Sequence, residues 1–401
     1  MKKATRQHTK EHNRNLVLKT IFAQDSISRA EIARVTSLTR TTVSDIVADL
    51  LEEGLVSEIG VGSSLGGKSP ILLSLVEDSR YLIGLELARN QFRGAIVNLR
   101  GKTREMVTLP MNSNNGVEAL ALVYEILDRL IKASCFPLVG IGIGTPGLVN
   151  INEGTVINSV NLDWKDLPLG RLMEERYHLP VYILNDSQAA AMGEYTYGKG
   201  HAPESNMIVI NARHGIGAGI VINGRLFQGD GGSAGEIGHI VVVPDGGQLC
   251  RCGNYGCLET VASTQALIKR VQMLVPQSIP TQLPKSPQEI TLDTIEKAFS
   301  SGDHLARQVV LETGRYMGIA ISSLVGTLNI QKIILTGDMT RFGSPWLDEI
   351  RGEVTQRTLS RLAQDTQIEI GQLGGNNIIL GASAMLANNY SLLFKPRPTL
   401  G

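Results

Sequence analysis

Three of the four cysteines in this 401-residue chain, Cys250, Cys252 and Cys257, share one glycine-rich stretch, GEIGHIVVVPDGGQLCRCGNYGCLET, with His239 eleven positions ahead of the first. Three soft thiolates and one imidazole are the donor set that closes a tetrahedral structural zinc site, and the glycines let a short loop fold around an ion. Buried or redox-active thiols are the rival reading. The N-terminal MKKATRQHTKEHNRN has no apolar segment of the kind a secretion signal needs, so a reducing, cytoplasmic setting is expected and disulfides are not. A packed core accounts for one cysteine more readily than for three around CGNYGC. The fourth, Cys135, is expected in the core.

A loop of this kind needs a large folded body to hold it. The length suggests two or three domains, and 42% apolar with 19% charged residues is the composition of an ordinary folded protein. No apolar run reaches the length of a membrane span, so a soluble protein without membrane partners is expected. Lysine plus arginine balance aspartate plus glutamate at 38 each, which argues against a generally basic nucleic-acid coat.

The balance hides a basic front end. Residues 1–40 hold nine Lys/Arg against three acids. SRAEIARVTSL opens with Ser28 and has Glu31 three residues later, a capping-box start to a short helix, and TRTTVSDIVADLLEEG follows as a second. Val43, Ile46, Val47, Leu50 and Leu51 recur at helical spacing and form one buried stripe. Arg40, Thr41, Thr42 and Ser44, with Asp45, lie off that stripe near the helix start, where short hydroxyls and a guanidinium suit phosphates and base edges. After Gly54, LVSEIGVGSSLGGKSPILLSL reads as strand, glycine-rich tip and strand, a wing carrying Lys68 toward the DNA backbone. Residues 1–76 are thus expected to be a winged helix-turn-helix that binds double-stranded DNA, with a small helical dimerisation module as the alternative.

From Tyr81 the texture changes to strands and glycines. YLIGLELARNQFRGAIVNLRGK and NMIVINARHGIGAGIVINGRLF share a hairpin pattern, each followed by helices and further strands, with helical patterns near 259–274 and 303–328 after the second. Two hairpin-led halves suggest a duplicated α/β fold with a ligand cleft, although strand-turn-strand with glycine is a common pattern. Asn185 and Asp186 end the strand VYILND ahead of the helix SQAAAMGEY, a place where clefts open in α/β folds and also where a plain helix cap belongs.

GEIGHIVVVPDGGQLCRCGNYGCLE resembles the signature of the ROK family, bacterial sugar kinases and sugar-responsive repressors, with its E-x-G-H and C-x-C-G-x-x-G-C-x-E elements complete. The resemblance runs from about residue 77 to the end, and the front end resembles the family's repressor branch. It implies an actin-like, ribonuclease H-like duplicated two-lobed sugar-kinase fold, with lobes at 77–195, joined by a C-terminal helix at 378–395, and at 196–377. It implies zinc on His239, Cys250, Cys252 and Cys257, and a sugar held by Asn185, Asp186, Glu236, His239 and Glu259. Carboxylates and amides suit vicinal hydroxyls, and a zinc-bound imidazole keeps its second nitrogen oriented toward a ligand.

Asp186 matches the general base of the family kinases. Their first hairpin carries a D-x-G-G-T turn, whereas Glu86-Leu87-Ala88-Arg89-Asn90 stands here, and Arg213 and His214 precede Gly215, Gly217 and Gly219 where G-T-G-x-G-x-G is usual. Both departures add side chains where phosphate oxygens approach backbone. The expectation is a non-enzymatic, sugar-responsive transcriptional regulator, a repressor of carbohydrate uptake or catabolism genes, with structural zinc. It acts as a homodimer or tetramer on an inverted repeat and is modulated by a sugar or sugar phosphate. An active sugar kinase with a DNA-binding arm, and a regulator whose ligand is a protein, are the alternatives.

Overall fold

The computed structural model describes residues 6–63, 69–112, 115–198, 205–277 and 280–394. They form two compact units, one from within 1–184 and 382–401 and one from 185–381.

The first unit begins with helices Arg6–Phe22, Arg29–Thr36 and Arg40–Glu52 and a three-stranded sheet in which Ile71–Leu75 lies between Ile27–Ser28 and Val56–Val61. Local chemistry sets these boundaries. Ser28 caps the second helix, its hydroxyl accepting from the Glu31 N–H at 3.2 Å, and Ser37 in the left-handed region (φ 57°) ends it. Thr39 caps the third helix, and Gly54, also left-handed at φ 66°, ends it. Val43, Ile46, Val47 and Leu50 are buried as expected, while Leu51 is only half-buried at the edge of the stripe. The tip of the wing, Lys68 included, lies outside the described residues.

Each unit is built on a five-stranded sheet. In the first the order is Val181–Asn185, Leu138–Thr145, Tyr81–Leu87, Gln91–Asn98, Thr103–Pro110; in the second it is Gln367–Ile370, Lys332–Thr336, Met207–Ala212, Ile216–Ile222, Arg225–Phe227. In both, the earliest strand is central, with its two successors antiparallel on one side and a parallel neighbour on the other. The repeated hairpin text is therefore the repeated edge of one topology. Helix Gly116–Ala133 packs Val123, Ile126, Leu127 and Leu130 into the first core, and helix His304–Leu328 packs Val310, Met317 and Ile321 into the second.

Two sequence expectations need correction. Cys135 is exposed, because helix Gly116–Ala133 stops two residues earlier and the chain turns at the surface before strand Leu138–Thr145. The helical pattern over 259–274 is two helices, Glu259–Ala262 and Thr264–Leu274. They break at Ser263, which adopts extended backbone and caps the second by accepting from the Ala266 N–H at 3.1 Å.

Helix Asp186–Tyr197, which starts at a candidate site residue, is held by backbone-to-backbone packing. A Cβ added at Gly381 would fall 1.6 Å from the Ala189 carbonyl oxygen, and one at Gly193 would fall 2.5 Å from that of Asn377. Overpacking of this kind costs about 1–3 kcal/mol. Gly381→Ala is therefore expected to lower the urea midpoint of unfolding with little change in its slope.

Candidate metal and effector site

The cysteine loop folds back on itself through two isolated bridges, Val241 with Cys257 and Leu249 with Tyr255. Gly256 makes the closest approach possible. It sits at φ 72°, and a Cβ there would lie 1.8 Å from the Val243 carbonyl oxygen. The turn between the first two cysteines and the third is closed by Cys250 N–H donating to the Asn254 carbonyl at 2.7 Å and Gly253 N–H donating to that of Cys250 at 2.9 Å.

These constraints bring one donor atom each of His239, Cys250, Cys252 and Cys257 within 4.8 Å of one another. Cys252 Sγ and Cys257 Sγ are 3.7 Å apart, and Cys250 Sγ is 3.5 Å from His239 Nδ1. Zinc at ordinary Zn–S and Zn–N lengths subtends a tetrahedral S···S edge of about 3.8 Å and an S···N edge of about 3.6 Å. The four residues fit that ion, with Nδ1 as the nitrogen turned to the thiols. The other nitrogen, Nε2, is 3.9 Å from Glu236 Oε2.

Burial pushes the Cys250 thiol up and that of Cys257 to about 12, whereas the Asn254 backbone N–H pulls Cys252 down. Two of the three sulfurs therefore favour their protonated form by themselves, and a divalent cation is the group that can displace those protons. Because binding expels protons, metal affinity must rise with pH and fall as acid returns them to the thiols. Zinc loaded at neutral pH is expected to dissociate progressively as the pH is lowered, a loss that a chromophoric chelator reads directly.

The five expected sugar residues all fall within the second unit. Asn185 is the N-cap of helix Asp186–Tyr197 and takes part in a capping box with Gln188, its side-chain oxygen accepting from the Ser187 N–H at 2.9 Å. The plain cap reading thus holds for Asn185, and the cap fixes Asp186 as the first helical residue, where it accepts from Ser187 Oγ at 3.1 Å. Glu236 sits ahead of the short helical turn Ile237–His239. Burial raises its carboxyl above the usual range; His239 and Arg251 oppose that shift, and the negative charges of Asp186 and Glu259 add to it. Asp186, Glu236, His239 and Glu259 thus act on one electrostatic neighbourhood.

Glu259 has partners that its position in the motif does not announce. Arg251 Nη2 donates to Oε2 at 3.3 Å and Nε forms an ion pair with Oε1 at 3.0 Å, while the Ile216 N–H donates to Oε2 at 3.2 Å. A Cβ on Gly215 would lie 2.6 Å from that same Oε2. Arg251 occupies an unspecified position of C-x-C-G, so spacing alone passes over it.

The surviving glycines of the second hairpin have packing roles. A Cβ at Gly217 would strike Ser187 Oγ at 2.5 Å, and one at Gly219 would strike Ala191 Cβ at 2.3 Å. In the first hairpin Glu86, 1% exposed, is paired with Arg93 directly across the ladder, with Nε donating to Oε2 at 2.8 Å and Nη2 bonding the same oxygen. Arg213 reaches across Gly337, where a Cβ would meet its Cγ at 2.7 Å, and lies 3.9 Å from Asp338.

In the front end Arg40, Thr41 and Ser44 are exposed on the first turns of their helix. Thr42 is half-buried, and its hydroxyl is 2.8 Å from that of Thr39 in the cap, which leaves it less free than the other three. Among the described residues no helix is long and apolar enough to cross a membrane.

The profile described as "ROK family" matches residues 82–389, and one described as "Winged helix-turn-helix DNA-binding" matches residues 11–57. The chain is 33% identical over 387 residues to a protein named xylose repressor from Caldicellulosiruptor bescii, covering 95% of this chain and 96% of that protein. Among solved structures, a ROK family transcriptional regulator, homolog of the E. coli MLC protein, superposes with a TM-score of 0.84 at 30% identity, covering 96% of this chain and 98% of that one. A ROK family glucokinase from Streptomyces griseus in complex with glucose and AMPPNP superposes with a TM-score of 0.69 at 28% identity, covering 76% of this chain and 98% of the glucokinase.

Proposed function

The chain belongs to the ROK family, and from that premise we propose that it is a transcriptional repressor of carbohydrate uptake or catabolism genes whose grip on DNA is set by a sugar or sugar phosphate. Residues 1–76 are the DNA-binding head, with Arg40, Thr41, Thr42, Ser44 and Lys68 toward the nucleic acid. Residues 77–195 and 196–377 are the lobes of the sensing body. The effector is held by Asn185, Asp186, Glu236, His239 and Glu259, and zinc by His239, Cys250, Cys252 and Cys257. The ion's contribution is structural: it ties three thiolates and an imidazole into one loop. His239 then presents Nε2 beside Glu236, with its ring orientation fixed by the bond at Nδ1. The protein works in the cytoplasm as a homodimer or tetramer on an inverted repeat.

The observation that carries the regulator over the kinase is in the first hairpin turn, at Ala88 and Arg89. Where the family kinases' D-x-G-G-T turn offers two glycines to nucleotide phosphates, this chain has Ala88 and Arg89, and the carboxylate at the aspartate position, Glu86, is buried against Arg93. A buried carboxylate held by a guanidinium is poorly available to a magnesium nucleotide, and Arg89 and Asn90 in the turn add bulk. The packing roles of Gly217 and Gly219 support the same reading, because they account for those glycines without a nucleotide. Phosphoryl transfer depends on positioning and charge stabilisation, so a chain without phosphate loops loses nearly all of the rate. With D-glucose, D-xylose or N-acetyl-D-glucosamine and magnesium ATP, ADP release is expected to stay at the sugar-free background. Sugar-dependent ADP release that Asp186→Asn abolishes would instead establish a kinase with a DNA-binding arm, the reading that likeness to a glucokinase favours.

A further inference from the structure

The zinc loop and the effector carboxylate are joined by a residue that belongs to neither set. Arg251 stands between the ligands Cys250 and Cys252, and its guanidinium grips both oxygens of Glu259, at 3.0 and 3.3 Å. Glu259 follows the last ligand by two positions, and its side chain is only 11% exposed. The Ile216 N–H also donates to it, and Gly215 beside it leaves room for the carboxylate that any side chain there would fill. A planar fork on a carboxylate fixes both its position and its rotation, which a single N–H cannot do.

We propose that Arg251 is a positioning residue, a clamp that passes the rigidity of the metal loop to Glu259 and so sets the orientation in which that carboxylate meets its ligand. The clamp works in both directions. It holds Glu259 against the strand that starts at Ile216, and it pins the segment between Cys250 and Cys252 so that the loop opens less readily. The part concerning effector affinity rests on the function proposed above; the part concerning the loop does not.

Two readouts on the same preparations test it: zinc release to a chromophoric chelator, and calorimetric affinity for D-xylose, D-glucose, N-acetyl-D-glucosamine and the 6-phosphates of the last two. Supporting partners around metal sites typically change affinity or activity by 10- to 100-fold, so Arg251→Ala is expected to speed zinc release about tenfold, with one zinc per chain still loaded. Glu259→Gln, which weakens the other half of the pair, should do the same, and the double variant should go no further than either. Arg251→Lys, a cation without the fork, should recover part of the loss. Affinity for whichever sugar the wild type binds should fall by a similar factor in Arg251→Ala and should not fall again when that change is added to Glu259→Gln. Zinc release at the wild-type rate in Arg251→Ala, or effects that multiply in the double variant, overturns the clamp. If the wild type binds none of these sugars while zinc release keeps the non-multiplying pattern, the clamp stands and the sugar-effector reading is what fails.

Discussion

Cys252→Ser is expected to lose stoichiometric metal and, with it, effector binding. Closed thiolate and imidazole sites contribute roughly 10–16 kcal/mol in small zinc peptides near neutral pH, so removing one of four donors should lower metal affinity by several orders of magnitude. Cys252 is the exposed one of the three cysteines, so its replacement disturbs the packing least. It is the thiol that its surroundings already favour as a thiolate, whereas burial works against Cys250 and Cys257. Without the ion, the latter two revert to buried thiols, His239 is no longer held at Nδ1, and its Nε2 loses its fixed place beside Glu236. Metal analysis should return well below one zinc per chain, and calorimetry should show no effector binding while the two sheets stay folded. The sheets carry their own cores: in the second unit Ile208, Ile210, Met317 and Ile321 are buried in a cluster to which the loop adds Ile237 and Leu258 but most of which lies outside it. Unchanged effector affinity in a metal-free Cys252→Ser protein would separate the loop from the site.

How far the sequence reaches follows from which interactions are local. The caps at Ser28 and Asn185 use partners two or three residues away, so a short window contains both halves of the interaction. The metal ligands are equally legible, because three thiols within eight residues in a glycine-rich loop have few other uses. Arg251 illustrates the opposite case. Its partner Glu259 is near in sequence, but the room for the pair is made by Gly215, and nothing in either short stretch announces that approach. Glu86 with Arg93 is similar: the departure from the kinase turn is visible in the text, while the neutralisation of the carboxylate depends on cross-strand register. Cys135 departs from expectation because an apolar residue beside Phe136 reads as core, yet only Phe136 turns inward, stacking on Tyr81 at 4.2 Å between centroids. Hairpin similarity alone is weak text; the matched strand order in the two sheets is what gives it weight.

The second large effect expected is a clean separation of DNA binding from effector response. Arg40→Ala combined with Lys68→Ala should all but abolish operator binding and leave effector affinity unchanged, since charge-assisted bonds to phosphate supply much of the affinity and steepen its salt dependence. Each cation withdrawn from a phosphate should reduce the slope of log affinity against log salt by about one, counted twice in a dimer. Asp186→Ala should do the reverse, retaining operator binding and losing the response. The head is well placed to transmit a response, because it is bonded to the sheet-bearing part of its own unit. Arg100 donates to the carbonyls of Phe22 and Gln24 at 2.6 and 2.8 Å, Arg14 lies 4.0 Å from the Phe394 ring, and Arg80 donates to the Glu53 carbonyl at 3.5 Å. An effector can shift operator affinity only by its own preference between two arrangements of the heads, typically about 1–3 kcal/mol, or roughly 5- to 150-fold. Titration of a palindromic site with and without sugar measures that factor in the wild type and should return unity for Asp186→Ala. If Asp186→Ala remains folded but no longer binds the operator, then Asp186 maintains the head arrangement itself and sensing does not reside in effector binding.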